Sequence, residues 1–354
     1  MGFDQNPRAR RHPSLPALLI WVISSRLKMN LNRQGESRWN APFASVAVRL
    51  ACIASRIGCV ALAFHACCLR GGSDSGQAAP SPSEYVRTED VIYGRKSGVA
   101  LTLDVFQPAQ RANGRGIIYV VSGGWTSNRG AIYPGEYLHF LDRGYTVFAV
   151  VHSSQPKFTI PEIIPDVQRA VRFIRFNSAK WEIDPKHIGI TGVSSGGHLS
   201  LMVGVLGATG DPNAEDPVDR ESSAVQAVAC FFPCTDFLNF GSPGEDAVGV
   251  GRLKDYKTAF GDASNTADAR SALGRQISPI RFITPSMPPT LILHGDQDPL
   301  VPVQQGEIFV QAATAVGAHA VLMVKHGAHG WPNLDNDRVT LAEWFDANLR
   351  GVHP

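Results

Sequence analysis

One serine in this sequence lies in a context that could make it reactive. Residues 192–196 read Gly-Val-Ser-Ser-Gly, with Ser194 at the centre, between an apolar run at 187–191 and another that begins at Leu199. A strand, a glycine-flanked serine and a helix in this order are typical of a sharp turn that lifts the hydroxyl above a sheet. Since this short motif also occurs by chance, a nucleophilic role for Ser194 depends on partners elsewhere in the chain.

A serine nucleophile needs a histidine to accept its proton and a carboxylate to orient that histidine. One downstream loop contains Asp296 and Asp298, and a later loop contains His326 and His329. Both loops follow predicted strands, where parallel sheets place their sites. We favour Asp298 because it lies farther out on its loop, and His329 because small residues flank it. Asp296 and His326 are the alternatives.

The negative charge that develops on a carbonyl oxygen under attack needs preorganised amide donors. The N–H of Ser195, the residue after the nucleophile, is expected to be one donor. Gly123 and Gly124 follow the predicted strand 117–121, and we expect their amides to complete an oxyanion hole. The alternative is a simple turn between two glycines.

Three further side chains lie next to these motifs in the sequence. Trp125 and Trp331 are candidates for lining a substrate pocket, with core packing as the alternative, and His198 is a candidate or else a locally bonded histidine. The sequence shows no set of ligands that would match residues 294–298 to form a metal site, so we expect neither a metal nor a cofactor.

The elements that position these residues begin near residue 85. Short β-rich runs alternate with helical patterns, which predicts an α/β fold with a mostly parallel eight-stranded sheet and helices on both faces. Helices are expected at 163–174 and 341–349, and residues 241–278 are expected to form a modest cap insertion above the sheet. The clearest predicted strands are 101–106, 117–121, 146–151, 187–191, 225–232, 290–294 and 320–324.

Residues 1–70 form a predicted leader, 71–84 a flexible linker rich in small residues, and 85–354 the main domain. Within the leader, 15–23 and 57–64 are apolar and follow arginines, as in signal peptides. Both are shorter than the roughly 20 residues of a membrane span. We therefore expect an exported protein, periplasmic or extracellular, with lipid anchoring at the leader cysteines or a disordered tail as the alternatives.

Composition excludes several classes of protein. The chain has 354 residues, 44% hydrophobic and 18% charged, which is ordinary for a globular protein. Its net charge is +2, and no basic run with interleaved aromatic residues follows residue 100, so a nucleic-acid partner is not expected. Only Cys230 and Cys234 lie outside the leader, and we expect two free buried thiols. The sequence does not indicate an oligomeric state.

Five motifs in a fixed order give the chain a resemblance to a known family over about residues 85–350. These are the opening run 91–108, the Gly-Gly-Trp loop, the Ser-Ser-Gly-Gly-His turn, the His-Gly-x-x-Asp-x-x-Val-Pro loop and the Gly-Ala-His-Gly loop. Together they resemble the α/β-hydrolases of the bacterial carboxylesterase group, in the branch of acetyl-xylan and feruloyl esterase-like enzymes. Residues 121–124 read Val-Ser-Gly-Gly where relatives often carry His-Gly-Gly-Gly, which puts the subfamily and the loop geometry in question.

This resemblance implies hydrolysis of carboxylic esters, with short-chain or carbohydrate-linked acetyl or feruloyl groups, through an acyl-enzyme on Ser194. Asp298 and His329 would complete the triad, with no cofactor. Two alternatives stay open: a small peptidase or amidase similar to prolyl oligopeptidases, and a catalytically silent hydrolase-like domain used for binding. The 84 residues before the domain are too few for the large propeller that such peptidases typically carry.

Overall fold

A computed structural model describes residues 84–349 of the chain. The predicted leader at 1–70 and all of the linker except Glu84 lie outside the described residues, as do residues 350–354. Export and lipid anchoring therefore stay predictions. Among the described residues, none of the helices combines the length and the apolar character that a membrane crossing requires.

The described residues are built around one eight-stranded sheet with the strand order β1-β2-β4-β3-β5-β6-β7-β8. All neighbours from β4 to β8 in this order pair in parallel, whereas β1 pairs antiparallel with β2 and β2 with β4. The predicted mostly parallel sheet is confirmed. The strands are β1 Tyr85–Lys96, β2 Val99–Pro108, β3 Gly116–Val121, β4 Thr146–Val151, β5 Ile188–Val193, β6 Ala227–Phe231, β7 Thr290–Gly295 and β8 Ala320–Lys325.

Helices cover both faces of the sheet, as predicted. One hydrophobic core contains residues of α2, α3, α4 and α5, and a second core on the opposite face contains residues of α1 and α6. Because both faces are covered, central strands such as β3 are buried at every position. The helices are α1 Leu138–Leu141, α2 Ile160–Phe176, α3 Ser195–Val205, α4 Ala267–Ile277, α5 Gln304–Ala315 and α6 Leu334–Asn348.

Strand β1 and helix α6 show where the local sequence pattern is least informative. The individual strand β1 was not among the predicted strands, because its residues are mostly charged or half-exposed at the sheet edge and lack a continuous apolar run. Helix α6 begins at Leu334, seven residues before the predicted start at 341. Its first turns carry Asp335 and Asp337, whose polar side chains hide the helical pattern while favouring a helix N-terminus.

The predicted cap insertion at 241–278 consists of short helical turns that lie over the loops at the carboxyl ends of the strands. It contains two 3-10 segments, Gly251–Ala259 and Gly261–Asn265, followed by α4. Arg252 Nη1 donates to the carbonyl oxygen of Pro299, 2.8 Å away, and the Tyr256 ring packs directly against Gly124. The insertion therefore contacts both the loop after β3 and the loop after β7.

Cys230 and Cys234 are both free and buried, as expected from the sequence. Burial raises the pKa of both thiols far above the ordinary cysteine range. Neither sulfur is therefore a thiolate near neutral pH, and both side chains act as small apolar groups in the core.

Candidate active site

Ser194 lies at a sharp turn between β5 and α3, with φ +55° and ψ −117°. This backbone conformation costs a residue with a side chain about 1–3 kcal/mol, so the surroundings must hold it in place. A Cβ on Gly192 would lie 2.5 Å from the backbone of Gly196, and one on Gly196 would lie 2.6 Å from the carbonyl oxygen of Val120. The two glycines are thus required by the close approach of α3 to β5 and β3.

The loop after β8 brings His329 to this serine. His329 Nε2 lies 2.9 Å from Ser194 Oγ, and His329 Nδ1 lies 2.6 Å from Asp298 Oδ2. A carboxylate can only accept a hydrogen bond, so Nδ1 carries the proton and Nε2 is free to accept the serine proton. The structure thus brings the three residues favoured from the sequence into one hydrogen-bonded chain.

Asp298 is held rigidly at the other end of this chain. Its side chain is fully buried, and its second oxygen, Oδ1, accepts bonds from the amides of Leu300 and Val301, each at 2.9 Å. Buried His294 donates from Nε2 to the carbonyl oxygen of Val301 at 2.8 Å, which ties the same loop to the end of β7. The two backbone amides and His329 Nδ1 together satisfy the buried Asp298 carboxylate and fix its direction.

The two alternatives considered from the sequence pair with each other instead. Asp296 Oδ2 lies 3.1 Å from His326 Nδ1, and Asp296 Oδ1 accepts from the Gly327 amide at 3.0 Å. These two contacts lower the pKa of the Asp296 carboxyl. The His326 side chain is 81% exposed, so this pair lies in solvent at the loop surface.

Asp337 in the first turn of α6 clamps both ends of the histidine loop. Its carboxylate lies 2.7 Å from Lys325 Nζ, before the loop, and accepts from Trp331 Nε1, after it, at 2.6 Å. Trp331 is half-buried and packs against Phe232, whose ring lies 4.4 Å from that of His329. Sequence reasoning missed Asp337 because it lies before the predicted helix start at 341 and no local pattern links it to Lys325 or Trp331.

The predicted oxyanion loop needs one correction, at Gly123. The Gly123 N–H donates to the carbonyl oxygen of Thr126 at 3.0 Å, and the Thr126 N–H returns the same bond to Gly123. An amide engaged in this way is not free for a substrate oxygen. Within residues 84–349, the amides of Gly124 and Ser195 have no hydrogen-bond partner, so they are the open donors among those predicted.

Trp125 and His198 do not line an open pocket; the structure shows the alternatives given for them, core packing and local hydrogen bonding. Trp125 is 2% exposed and donates from Nε1 to His198 Nδ1 at 3.1 Å, while His198 Nε2 donates to the Ile277 carbonyl at 2.7 Å. Both rings pack against Phe237. Residues of the cap insertion cover the Trp125 ring and accept the His198 hydrogen bond, which the sequence pattern does not reveal.

No group of three or more His, Cys, Asp or Glu side chains within residues 84–349 is arranged to hold a metal ion. The site described above comprises a hydroxyl, an imidazole, a buried carboxylate and open backbone amides.

The chain matches one family model and is similar in sequence to several esterases. The BD-FAE family model matches residues 103–312. Esterase LipQ from Mycobacterium tuberculosis is 31% identical over 240 residues, which cover 66% of this chain and 54% of the relative. An acetylxylan esterase from Xylanibacter ruminicola is 27% identical and covers 63% and 42% of the two chains. The chain spans about half the length of the curated relatives it matches.

The fold of this chain is also similar to the solved structures of ester hydrolases. A truncated carbohydrate esterase from gut microbiota superposes with a TM-score of 0.66 at 26% identity, over 76% of this chain and 99% of that one. An acetyl ester-xyloside bifunctional hydrolase from Caldicellulosiruptor lactoaceticus superposes with a TM-score of 0.61 at 24% identity, over 77% and 96% of the two chains.

The buried histidines predict how stability depends on pH. Burial lowers the pKa of His198 and of His152 to about 4, whereas the ordinary value is 6.5. Between pH 6.5 and about 4, these two histidines are protonated in the unfolded chain and neutral in the folded chain. The free energy of unfolding therefore falls as the pH falls through this range. We expect His198→Gln to reduce this slope by up to about 1.4 kcal/mol per pH unit, measured by urea unfolding at several pH values. A slope equal to that of the wild type would contradict a neutral, buried His198.

Proposed function

This chain belongs to the BD-FAE family, and from that premise we propose that it is a serine esterase that hydrolyses carboxylic esters through an acyl-enzyme on Ser194. The α/β-hydrolase fold and the carboxylesterase group expected from the sequence are both confirmed. The single observation that carries the mechanism is the hydrogen-bonded chain from Asp298 through His329 to Ser194 Oγ. No other group in the described site offers an activated nucleophile.

In the first step, Ser194 Oγ attacks the ester carbonyl carbon while His329 Nε2 accepts the hydroxyl proton. The buried Asp298 carboxylate stabilises the imidazolium and keeps its tautomer fixed. His329 then gives the proton to the departing alcohol, which leaves the acyl group on the serine. Water attacks this acyl-enzyme with His329 again as the base, releasing the acid and restoring Ser194.

The amides of Gly124 and Ser195 would hold the carbonyl oxygen as it gains negative charge. Ser195 opens α3, so its N–H also lies at the positive end of the helix dipole. Losing one such donor typically lowers kcat by about 10²–10³. The Ser195 hydroxyl lies 3.0 Å from Ser122 Oγ, whereas His329 contacts the Ser194 hydroxyl.

For the substrate, we propose short acyl groups, including acetyl groups on carbohydrates. Two of the similar proteins, an acetylxylan esterase and a carbohydrate esterase, support this class. Tyr256 packs on Gly124 of the oxyanion loop and Phe232 packs on His329, and we propose that these two rings limit the length of the acyl group.

The mechanism predicts that a fluorophosphonate probe labels Ser194. Mass spectrometry of the labelled full-length chain should find the adduct on the peptide containing Ser194, and Ser194→Ala should abolish both labelling and hydrolysis of p-nitrophenyl acetate. Ser195→Ala is the matched control, because it removes the adjacent hydroxyl and keeps the amide. Equal labelling of the wild type and Ser194→Ala would refute the proposed nucleophile.

The neighbouring aspartates allow a matched test of the third residue. We expect Asp298→Asn to lower kcat by about 10⁴, because an amide cannot hold the required histidine tautomer. Asp296→Asn, two residues away, should leave kcat within about threefold, since its partner His326 is exposed to solvent. Steady-state kinetics on p-nitrophenyl acetate measure both, and comparable losses in the two variants would contradict the assignment.

The proposed limit on the acyl group predicts a preference by acyl length. The wild type should hydrolyse p-nitrophenyl acetate with a higher kcat/KM than the octanoate, and Tyr256→Ala should shift this ratio toward the octanoate by about tenfold, the scale of one lost pocket contact. Tyr133→Ala, at a 59% exposed tyrosine, is the control. No shift in Tyr256→Ala would argue against Tyr256 as the limit, and activity on aminoacyl p-nitroanilides alone would favour the peptidase alternative.

A further inference from the structure

The oxyanion loop is a four-residue turn with an unusual backbone. Gly123 and Thr126 exchange both of their backbone hydrogen bonds, and the two residues between them, Gly124 and Trp125, have φ of +55° and +59°. Such a turn suits glycine at both central positions, whereas here one is occupied by tryptophan. The turn is therefore strained at Trp125 and needs support from outside itself.

Gln155, in the loop after β4, supplies that support. Its side-chain Nε2 donates to the carbonyl oxygen of Gly124, and its backbone N–H donates to the carbonyl oxygen of Trp125 at 3.3 Å. Its remaining polar atom, Oε1, accepts a hydrogen bond from Thr258 Oγ1 in the cap insertion. One side chain thus links the oxyanion turn to the cap.

The bond to Gly124 determines the direction of a different group, the N–H of Trp125. The Gly124 carbonyl and the Trp125 N–H belong to one planar peptide and point in opposite directions. This is the central peptide of the turn, and its rotation converts one turn type into another. Such a rotation would relieve the positive φ of Trp125, so the Gln155 bond opposes a change that the chain would otherwise favour.

The Trp125 amide is also open. Within residues 84–349 it has no hydrogen-bond partner, like the neighbouring amide of Gly124 and unlike that of Gly123. The Trp125 side chain is anchored below the turn by its bond to His198 and its contact with Phe260. The residue is thus fixed at its side chain, and the orientation of its amide depends on Gln155.

We propose that the Trp125 N–H takes the place of Gly123 as a donor of the oxyanion hole, and that Gln155 is the positioning residue that keeps it there. This inference rests on the proposed ester hydrolysis by Ser194. It assigns to Gln155 no contact with the substrate. Gln155 acts by holding the central peptide of the turn, and Thr258 holds the Gln155 side chain in place.

The test is Gln155→Glu, which keeps the shape of the side chain and removes both N–H donors. We expect kcat on p-nitrophenyl acetate at pH 8 to fall by about 10- to 100-fold, the scale of one oxyanion donor, while KM changes less than about twofold. An alkyl boronic acid forms a tetrahedral adduct with the serine, so its affinity should weaken by the same factor as kcat. Gln155→Ala should give the same pattern.

Two controls separate positioning from general packing. Gln168→Glu makes the same chemical change in α2, where the side chain donates to the Leu206 carbonyl at 3.4 Å, and it should leave kcat and boronic acid affinity unchanged. Thr258→Val removes the hydroxyl that holds Gln155 and should weaken boronic acid binding to a smaller extent. Thr258→Ser retains the hydroxyl and should restore wild-type affinity.

Several results would overturn the inference. It fails if both Gln155 variants keep kcat and boronic acid affinity within twofold of the wild type, or if kcat falls with no loss of boronic acid affinity. Should both variants unfold, Thr258→Val decides, and unchanged affinity there rejects the inference. These failures leave the proposed function standing as long as the wild type hydrolyses esters and is labelled at Ser194. A wild type that does neither refutes the function itself.

Discussion

The close approach of three backbone segments at Ser194 is the constraint on which the rest of the site depends. The start of α3 lies so near β5 and β3 that Gly192 and Gly196 have no room for a Cβ. This contact forces Ser194 into a backbone conformation that an isolated chain would avoid. Burial offsets that cost, since β5 enters the turn from the middle of the sheet and the buried helix α3 leaves it. The hydroxyl is therefore presented at a position that the other loops must reach.

The loops after β7 and β8 bring Asp298 and His329 to this hydroxyl, and hydrogen bonds satisfy the polar groups of both side chains. Asp298 is buried, and a buried carboxylate is stable only when hydrogen bonds replace its lost water. The amides of Leu300 and Val301 and the imidazole of His329 supply these bonds. Asp337 then joins the two ends of the histidine loop, so the imidazole is held both along its hydrogen bonds and through its backbone. Fixing these groups in advance reduces the reorganisation that catalysis would otherwise require.

The cap insertion helps to hold the oxyanion turn through its contacts with Trp125 and His198. Tyr256 and Phe260 pack on Trp125, and the carbonyl of Ile277 accepts the bond from His198. These contacts make Trp125 and His198 part of a buried layer beneath the oxyanion turn. With both ring nitrogens occupied and burial lowering its pKa, His198 is neutral and does not compete with His329 as a base.

The sequence alone determined the features that depend on local pattern: the alternation of strands and helices, the glycine-flanked turn at Ser194, and the order of the motifs that bring Asp298 and His329 after it. Tertiary structure decided the features that depend on distant partners. Whether Trp125 faces a pocket depends on the cap insertion, more than 100 residues later, and the support of its turn depends on Gln155 and Thr258. Likewise, the Gly123 amide is not open to a substrate because it donates to the Thr126 carbonyl across the turn. A sequence pattern specifies which backbone groups exist, whereas only the folded chain determines which of them are already hydrogen-bonded or buried.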